Sequence, residues 1–118
     1  MDNNLPIYLK IAQLLEDEIL NDRLKADDRI PSTNDFSRMM QVNPATAGKG
    51  LNELLNRDIL YKKRGLGMFV TAEAKQIIIE ERRQAFSKEM LPEFLREASQ
   101  LQLSLEELIR MIEEEYHA

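Results

Sequence analysis

Six basic residues, Arg38, Lys49, Arg57, Lys62, Lys63 and Arg64, stand in the stretch from Arg38 to Arg64 against two acids, Glu53 and Asp58. The last three run directly into Gly65-Leu66-Gly67. Ammonium and guanidinium groups beside a glycine-bearing tip suit phosphate, because glycine admits positive φ and leaves the backbone free to lie against a polyanion. Covalent chemistry has no comparable support. Cysteine is absent, which removes disulfides and thiolate metal sites, and the single histidine, His117, stands beside the C-terminus. The carboxylate runs Glu16-Asp17-Glu18 and Glu113-Glu114-Glu115 place adjacent residues on different sides of a helix and read as solvated faces, and Glu80-Glu81-Arg82-Arg83 reads as surface pairing. No nucleophile has a neighbouring base. The expectation is a non-enzymatic chain without metal or cofactor.

The net charge of −5 is unevenly divided. From Met1 to Ala72 there are ten Lys/Arg and ten Asp/Glu, whereas Glu73 to Ala118 holds six against eleven. The acidity thus belongs to the C-terminal part, and a basic surface can exist upstream of it. At 118 residues the chain suits one small domain with an appended helical segment. MDNNLPIYLK lacks a signal-peptide pattern, and no apolar run reaches the roughly 20 residues of a membrane helix. A soluble, cytoplasmic protein is expected.

These charges need elements to position them. Ile7, Ile11, Leu14, Leu15 and Ile19 have the spacing of a helix with one buried face, opened by Pro6 and ending near Asn21 to Arg23. After the polar connector Leu24 to Arg29, Ile30-Pro31 favours extended backbone. Ser32 caps a second, two-turn helix whose apolar side is Phe36, Met39 and Met40. Gln41-Val42-Asn43 makes a turn with Val42 as a buried plug, and Asn43-Pro44 opens a third helix with Ala47, Leu51, Leu54 and Leu55 inward. Its outward face then carries Ala45, Thr46, Gly48, Lys49 and Asn52, small and polar enough for close approach to base edges. Gly48 and Gly50 weaken this helix, which fits either close approach to DNA or a helix that orders on binding, with good tertiary packing as the plain alternative. Ile59-Leu60-Tyr61 and Met68-Phe69-Val70 flank the glycines as a hairpin.

Two helices, a turn and a basic hairpin in that order predict a winged helix-turn-helix over 5–72. Beyond it the composition turns helical. Ile77, Ile78, Ile79, Phe86 and Met90 lie along one long helix interrupted near Leu91-Pro92, a second passes through Phe94, Leu95, Ala98 and Leu101, and Ser104 with Glu107 opens a last one through Leu105, Leu108, Ile109, Ile112 and Tyr116. The fold class is therefore mainly α with a small β-hairpin, a winged helix-turn-helix followed by a short all-helical segment over 73–118. Three amphipathic helices are too few to bury their own apolar faces, so they pack on the first domain or on a second copy.

Four blocks in order, Pro6-Ile7-Tyr8, Leu24 to Ser32, Val42-Asn43-Pro44-Ala45-Thr46 and Arg64-Gly65-Leu66-Gly67-Met68-Phe69-Val70, resemble the GntR family of bacterial transcription factors over Leu5 to Thr71. The resemblance implies a homodimer that binds double-stranded palindromic operator DNA and most often represses. The short helical tail is similar to the YtrA-like branch, whose members often control neighbouring transporter operons. Carried onto this chain, the family's contacts fall at Ser32, Thr46, Lys49, Arg64, Gly65 and Gly67. The full candidate DNA-binding set adds Thr33, Asn34, Asn43, Ala45, Lys62 and Lys63. The candidate dimerisation set is Ile78, Phe86, Met90, Phe94, Leu105, Leu108, Ile109 and Ile112. Asn34 stands where the family usually has an operator-contacting arginine, Gly48 where it has a larger residue and Gly50 where it has alanine, which implies a divergent operator or modest affinity.

Two further readings stay open. The tail helices could form a small-molecule pocket lined by Phe86, Met90 and Phe94, with DNA binding as the output; the effector is unknown. Alternatively the fold could serve as a protein-interaction module that has lost DNA binding.

Overall fold

The computed structural model describes residues 4–118. Its contacts divide the chain into two units, Met1–Glu80 and Glu81–Ala118. The first unit holds α1 (Ile7–Leu20), α2 (Thr33–Met40), α3 (Pro44–Asn56), β1 (Leu60–Lys63), β2 (Gly67–Val70) and the start of α4 (Ala74–Ala85). It extends past the expected limit at residue 72 because Ala74 and Ile78 of α4 are buried in its core.

On α1, Ile11, Ala12, Leu15, Glu16 and Ile19 face inward. Ile7 and Leu14, counted in the apolar stripe, are exposed. At 3.6 residues per turn Leu14 falls on the far side of Ile11 from Leu15 and Ile19. The carboxylate run at its centre is not a solvated face throughout: Glu16 is buried and its Oε2 lies 3.1 Å from Nη1 of Arg57. Of the neighbouring acids, Glu18 pairs with Arg23 at 2.7 Å.

The Ser32 hydroxyl accepts the Asp35 N–H at 3.1 Å and so opens α2. Only Phe36 of its apolar side enters the core, while Met39 is 67% exposed and Met40 also faces solvent. Ser37 takes the inward place beside Phe36, its hydroxyl donating to the Val42 carbonyl across the turn. Gln41 ends α2 at φ 53°, and Val42 packs half-buried against the core rather than as a fully buried plug. Asn43 then caps α3, its Oδ1 accepting the Ala45 N–H at 2.7 Å, with Pro44 at the first helical position.

Gly50 explains itself through packing rather than DNA. A Cβ there would stand 2.8 Å from the Tyr8 carbonyl oxygen and 3.1 Å from Cγ2 of Ile11, so α1 and α3 meet at backbone contact. Gly48 has no such constraint, its nearest neighbour being Thr33 Cγ2 at 3.5 Å. Behind them Ala47, Leu51 and Leu54 are fully buried with Ile11, Ile59 and Val70.

The strands pair antiparallel in the register Leu60 with Val70, Tyr61 with Phe69, Lys62 with Met68 and Lys63 with Gly67. A third segment joins the free edge of β2. Asp27 donates to Val70 at 2.8 Å, Ile30 to Met68 at 3.0 Å and Val70 to Asp28 at 3.0 Å, and Arg29 bridges Phe69.

The second unit is helical. Its backbone passes through a π-helical turn, Phe86–Met90, into α5 (Leu91–Gln100), and α6 (Leu105–Tyr116) follows. The interruption expected at Leu91-Pro92 is this widened turn and not a break. A wider turn absorbs the missing N–H and the ring of Pro92 without ending the helix. Ser104 and Glu107 form the expected capping box on α6, with the Glu107 N–H donating to Ser104 Oγ at 3.1 Å. Among the described residues no helix is long and apolar enough to cross a membrane.

The two glycines of α3 should part company on substitution. Gly48→Ala is expected to raise unfolding stability by about 0.5–1 kcal/mol through helix propensity. Gly50→Ala is expected to lower it by about 1–3 kcal/mol, because backbone must move to admit the methyl group. Urea midpoints of the two variants decide this, and equal shifts of one sign would refute it.

Candidate nucleic-acid interface

The candidate DNA-binding residues fall on three neighbouring structures of the first unit. One is a groove of about 370 Å³ between the hairpin and the start of α2, lined by Ser32, Thr33, Lys62, Lys63, Arg64, Gly65 and Gly67 among the expected residues. The second, also about 370 Å³, is lined by Ala45 and Thr46 with Lys49 of α3, together with Ile7 and Tyr8 of α1. The third comprises the exposed helix starts, where Asn34 in the first turn of α2 and Asn43 at the α3 cap lie outside both hollows. Asn43 spends its side-chain oxygen on the α3 cap, and Ser32 spends its hydroxyl on the α2 cap. Their local duty is therefore helix initiation.

Aromatic rings hold two of the cations. The Lys49 ammonium sits 4.2 Å from the Tyr8 ring centroid, and that of Lys63 sits 4.9 Å from Phe69. Both stay exposed while their directions are restricted. Phe69 in turn stacks on Tyr61 with centroids 5.7 Å apart, as directly opposed residues of an antiparallel pair can. The Tyr61 hydroxyl donates to Asp27 Oδ1 at 2.7 Å, tying the hairpin to the edge segment. That hydrogen bond, then burial, then the charge of Asp27 raise the phenol above its ordinary titration range.

Gly65 at φ 77° and Gly67 at φ 112° make the tip, closed by Leu66 N–H donating to the Lys63 carbonyl at 2.9 Å. Left-handed backbone at both positions explains the glycines, and leaves Arg64 and Leu66 exposed on the turn. A cationic groove beside a helix face of Ala45, Thr46 and Lys49 can hold a phosphate backbone while the helix meets base edges.

Two residues that adjoin the candidate set were not evident from the sequence. Arg29 lines the groove beside the hairpin, and Tyr8 supports Lys49. Arg29 was hidden by its acidic neighbours Asp27 and Asp28 within a connector that looked merely polar. An alternation signal, Asp28 and Ile30 facing one way and Arg29 the other, could have identified an edge strand.

A sequence profile described as "Bacterial regulatory proteins, gntR family" matches residues 7–70. The chain belongs to the GntR family. It is a DNA-binding transcriptional regulator of mainly helical, winged-helix fold, and this family is non-enzymatic. Two relatives from Bacillus subtilis (strain 168) are similar along nearly the whole chain. The uncharacterized HTH-type transcriptional regulator YhcF is 29% identical over 116 residues, spanning 95% of this chain and 94% of its own. The HTH-type transcriptional repressor YtrA is 29% identical over 112 residues, spanning 95% and 85%. Among solved structures, a putative transcriptional regulator of the GntR family from Bacteroides thetaiotaomicron superposes with a TM-score of 0.80 at 32% identity, covering 95% of this chain and 97% of that one. The DNA-binding domain of AraR, solved in complex with operator ORX1, gives a TM-score of 0.55 at 27% identity over 57% of this chain and 81% of its own.

In this GntR-family chain the raised Tyr61 titration has a signed consequence. The protonated phenol is favoured by folding, so its contribution to stability is complete below the unfolded value near 10 and is lost as pH rises through the higher folded value. Ring resonances of Tyr61 followed by NMR to high pH should show the raised midpoint, and Asp27→Asn should bring it down. No change in that variant would remove Asp27 as the cause.

Proposed function

We propose that this chain is a homodimeric, cytoplasmic repressor that binds a palindromic operator. The observation that carries the reading is the cationic groove formed by Lys62, Lys63 and Arg64 against the start of α2, together with the half-buried Thr46 and the exposed Lys49 of α3. In the proposed complex the groove grips the phosphate backbone while α3 reads the major groove. Two copies meet successive major-groove faces about 34–36 Å apart, or at a related spacing set by the dimer. Occupying a promoter in this way blocks polymerase. That the similar Bacillus subtilis protein YtrA is a transcriptional repressor supports the sign of regulation. A transporter operon rests on the branch resemblance alone.

Support for pairing comes from the second unit. Between α5 and α6 an apolar groove of about 410 Å³ opens on Phe94, Ala98, Leu101, Leu108, Ile112 and Tyr116. Phe94, Leu101, Ile109, Ile112 and Tyr116 are exposed in the single chain, Tyr116 at 86%. So many large apolar side chains in one small helical unit call for a covering surface. Of the candidate dimerisation residues, Phe86, Met90, Leu105 and Ile109 are also exposed, whereas Leu108 is 7% exposed and reaches a partner only along the groove. Ile78 must be withdrawn from the set. It is 0% exposed because its side of α4 closes the first unit's core, which leaves no surface for a partner.

A second reading uses the same groove for a small apolar effector, since 410 Å³ lies within the range of ligand pockets. Phe94 lines it, but Phe86 and Met90 do not, so such a pocket differs from the one expected from sequence.

Selection of purified protein on random duplex oligonucleotides, followed by sequencing and salt titration, tests the main reading. An inverted repeat is expected, with affinity falling as salt rises, and Lys62→Ala, Lys63→Ala and Arg64→Ala should each reduce the log–log salt slope by about 0.9. Absence of salt-dependent binding at low ionic strength would sink it. A genome search with the selected repeat then reads out the regulated operon.

Sedimentation tests pairing separately. The wild type should sediment as twice 13.8 kDa and Ile112→Asp as a single chain. An Ile112→Asp dimer would instead free the groove for the effector reading.

A further inference from the structure

We propose that Arg29 is an additional DNA-contacting residue, a phosphate clamp whose guanidinium lies in the space that Gly67 leaves open. The proposal rests on the DNA-binding reading above and adds a residue outside the expected contact set.

Backbone pairing on the outer edge of β2 fixes where Arg29 stands. Ile30 N–H donates to the Met68 carbonyl at 3.0 Å, Val70 N–H donates to the Asp28 carbonyl at 3.0 Å, and Arg29 itself bridges Phe69. An antiparallel bridge puts the two side chains on one face, so Arg29 shares a face with Phe69 and lies diagonal to Gly67. The guanidinium takes that diagonal. Its Nε, Nη2 and Cζ lie 3.1, 3.5 and 3.7 Å from where a Cβ on Gly67 would be. The φ of 112° is what calls for glycine at position 67, and the absent side chain leaves room for the guanidinium, which a Cβ would push aside by a few tenths of an ångström.

The charges nearby leave Arg29 available. Asp27 accepts from the Tyr61 hydroxyl at 2.7 Å, and Asp28 Oδ2 accepts the Lys25 N–H at 2.8 Å. Arg29 has no ion-pair partner among the described residues and is exposed. The groove it lines also holds Lys62, Lys63 and Arg64, and no carboxylate. A planar guanidinium held at the edge of such a groove presents paired N–H donors to phosphate oxygens, which a lysine cannot reproduce.

Binding isotherms on the selected operator at several salt concentrations test this with wild type, Arg29→Gln, Arg29→Lys and Gly67→Ala. Urea midpoints accompany them. Arg29→Gln is expected to fold normally, to lose roughly tenfold in affinity and to lower the salt slope by about 0.9. Arg29→Lys should keep the slope while binding more weakly than wild type, because charge remains and the fork is lost. Gly67→Ala should weaken binding even though it removes no charge. Wild-type binding with an unchanged affinity and slope in Arg29→Gln would overturn the clamp while leaving the regulator reading intact. Weaker binding of Arg29→Gln with an unchanged slope would also overturn it, marking Arg29 as a support of the hairpin only. A wild type that binds no duplex would overturn both.

Discussion

The exposed face of α3, which in the proposed complex meets DNA, depends on how its other side is held against α1. Gly50 lets the two helices approach until its Cα is covered by the Tyr8 carbonyl, and Ala47, Leu51 and Leu54 fill the space on either side. At such a crossing small shifts are costly, because interiors are close-packed and a methyl group has nowhere to go. The pair Glu16–Arg57 reinforces the same contact from α1 to the end of α3. A nearly buried carboxylate needs its partner there, because removing either would leave an uncompensated charge. The same crossing brings the Tyr8 ring under the Lys49 ammonium, so the support of α3 and the placement of its cation share one origin.

The hairpin is positioned in a related way. Two strands alone are marginal in water, and this pair gains a third rung from Asp27 to Ile30 and an inward anchor from Leu60 and Val70. On the outer face Tyr61, Phe69 and Lys63 stack together, so the cations beside the tip project from a braced surface while the tip itself stays open. Charge segregation completes the arrangement: the acidic residues concentrate beyond residue 73, away in sequence from the basic groove. A chain of net charge −5 can then present a cationic face to a polyanion.

The second unit shows the opposite balance. Its backbone is well determined locally by the capping box at Ser104 and by the π turn before Pro92. Its side chains are not satisfied locally, because only Ala98 and Leu108 are buried within it while most large apolar groups face outward. A helical pair of this size has too little interior to hold its own apolar surface.

Much of this was legible in the residues. Caps at Ser32, Asn43 and Ser104, the Pro44 start, the Gly65 and Gly67 tip and the inward face of α3 are local signals, and each specified its element because backbone geometry is decided within a few residues. The cationic set at Lys62, Lys63 and Arg64 followed from composition for the same reason. What local signals could not supply was the choice among apolar side chains of which would be covered. Met39, Leu14 and Ile7 match the helical period yet face solvent, while Ile78, read as part of a separate tail, completes the first core. Nor could they reveal that Gly50 serves a helix crossing, that Glu16 finds Arg57, or that Arg29 reaches Gly67. The sequence by itself determined the elements, their order and the chemistry of the exposed faces, through interactions between near neighbours. Only the tertiary structure decided the partners, because burial, close approach and charge pairing join residues far apart in the chain and depend on where every other element lies.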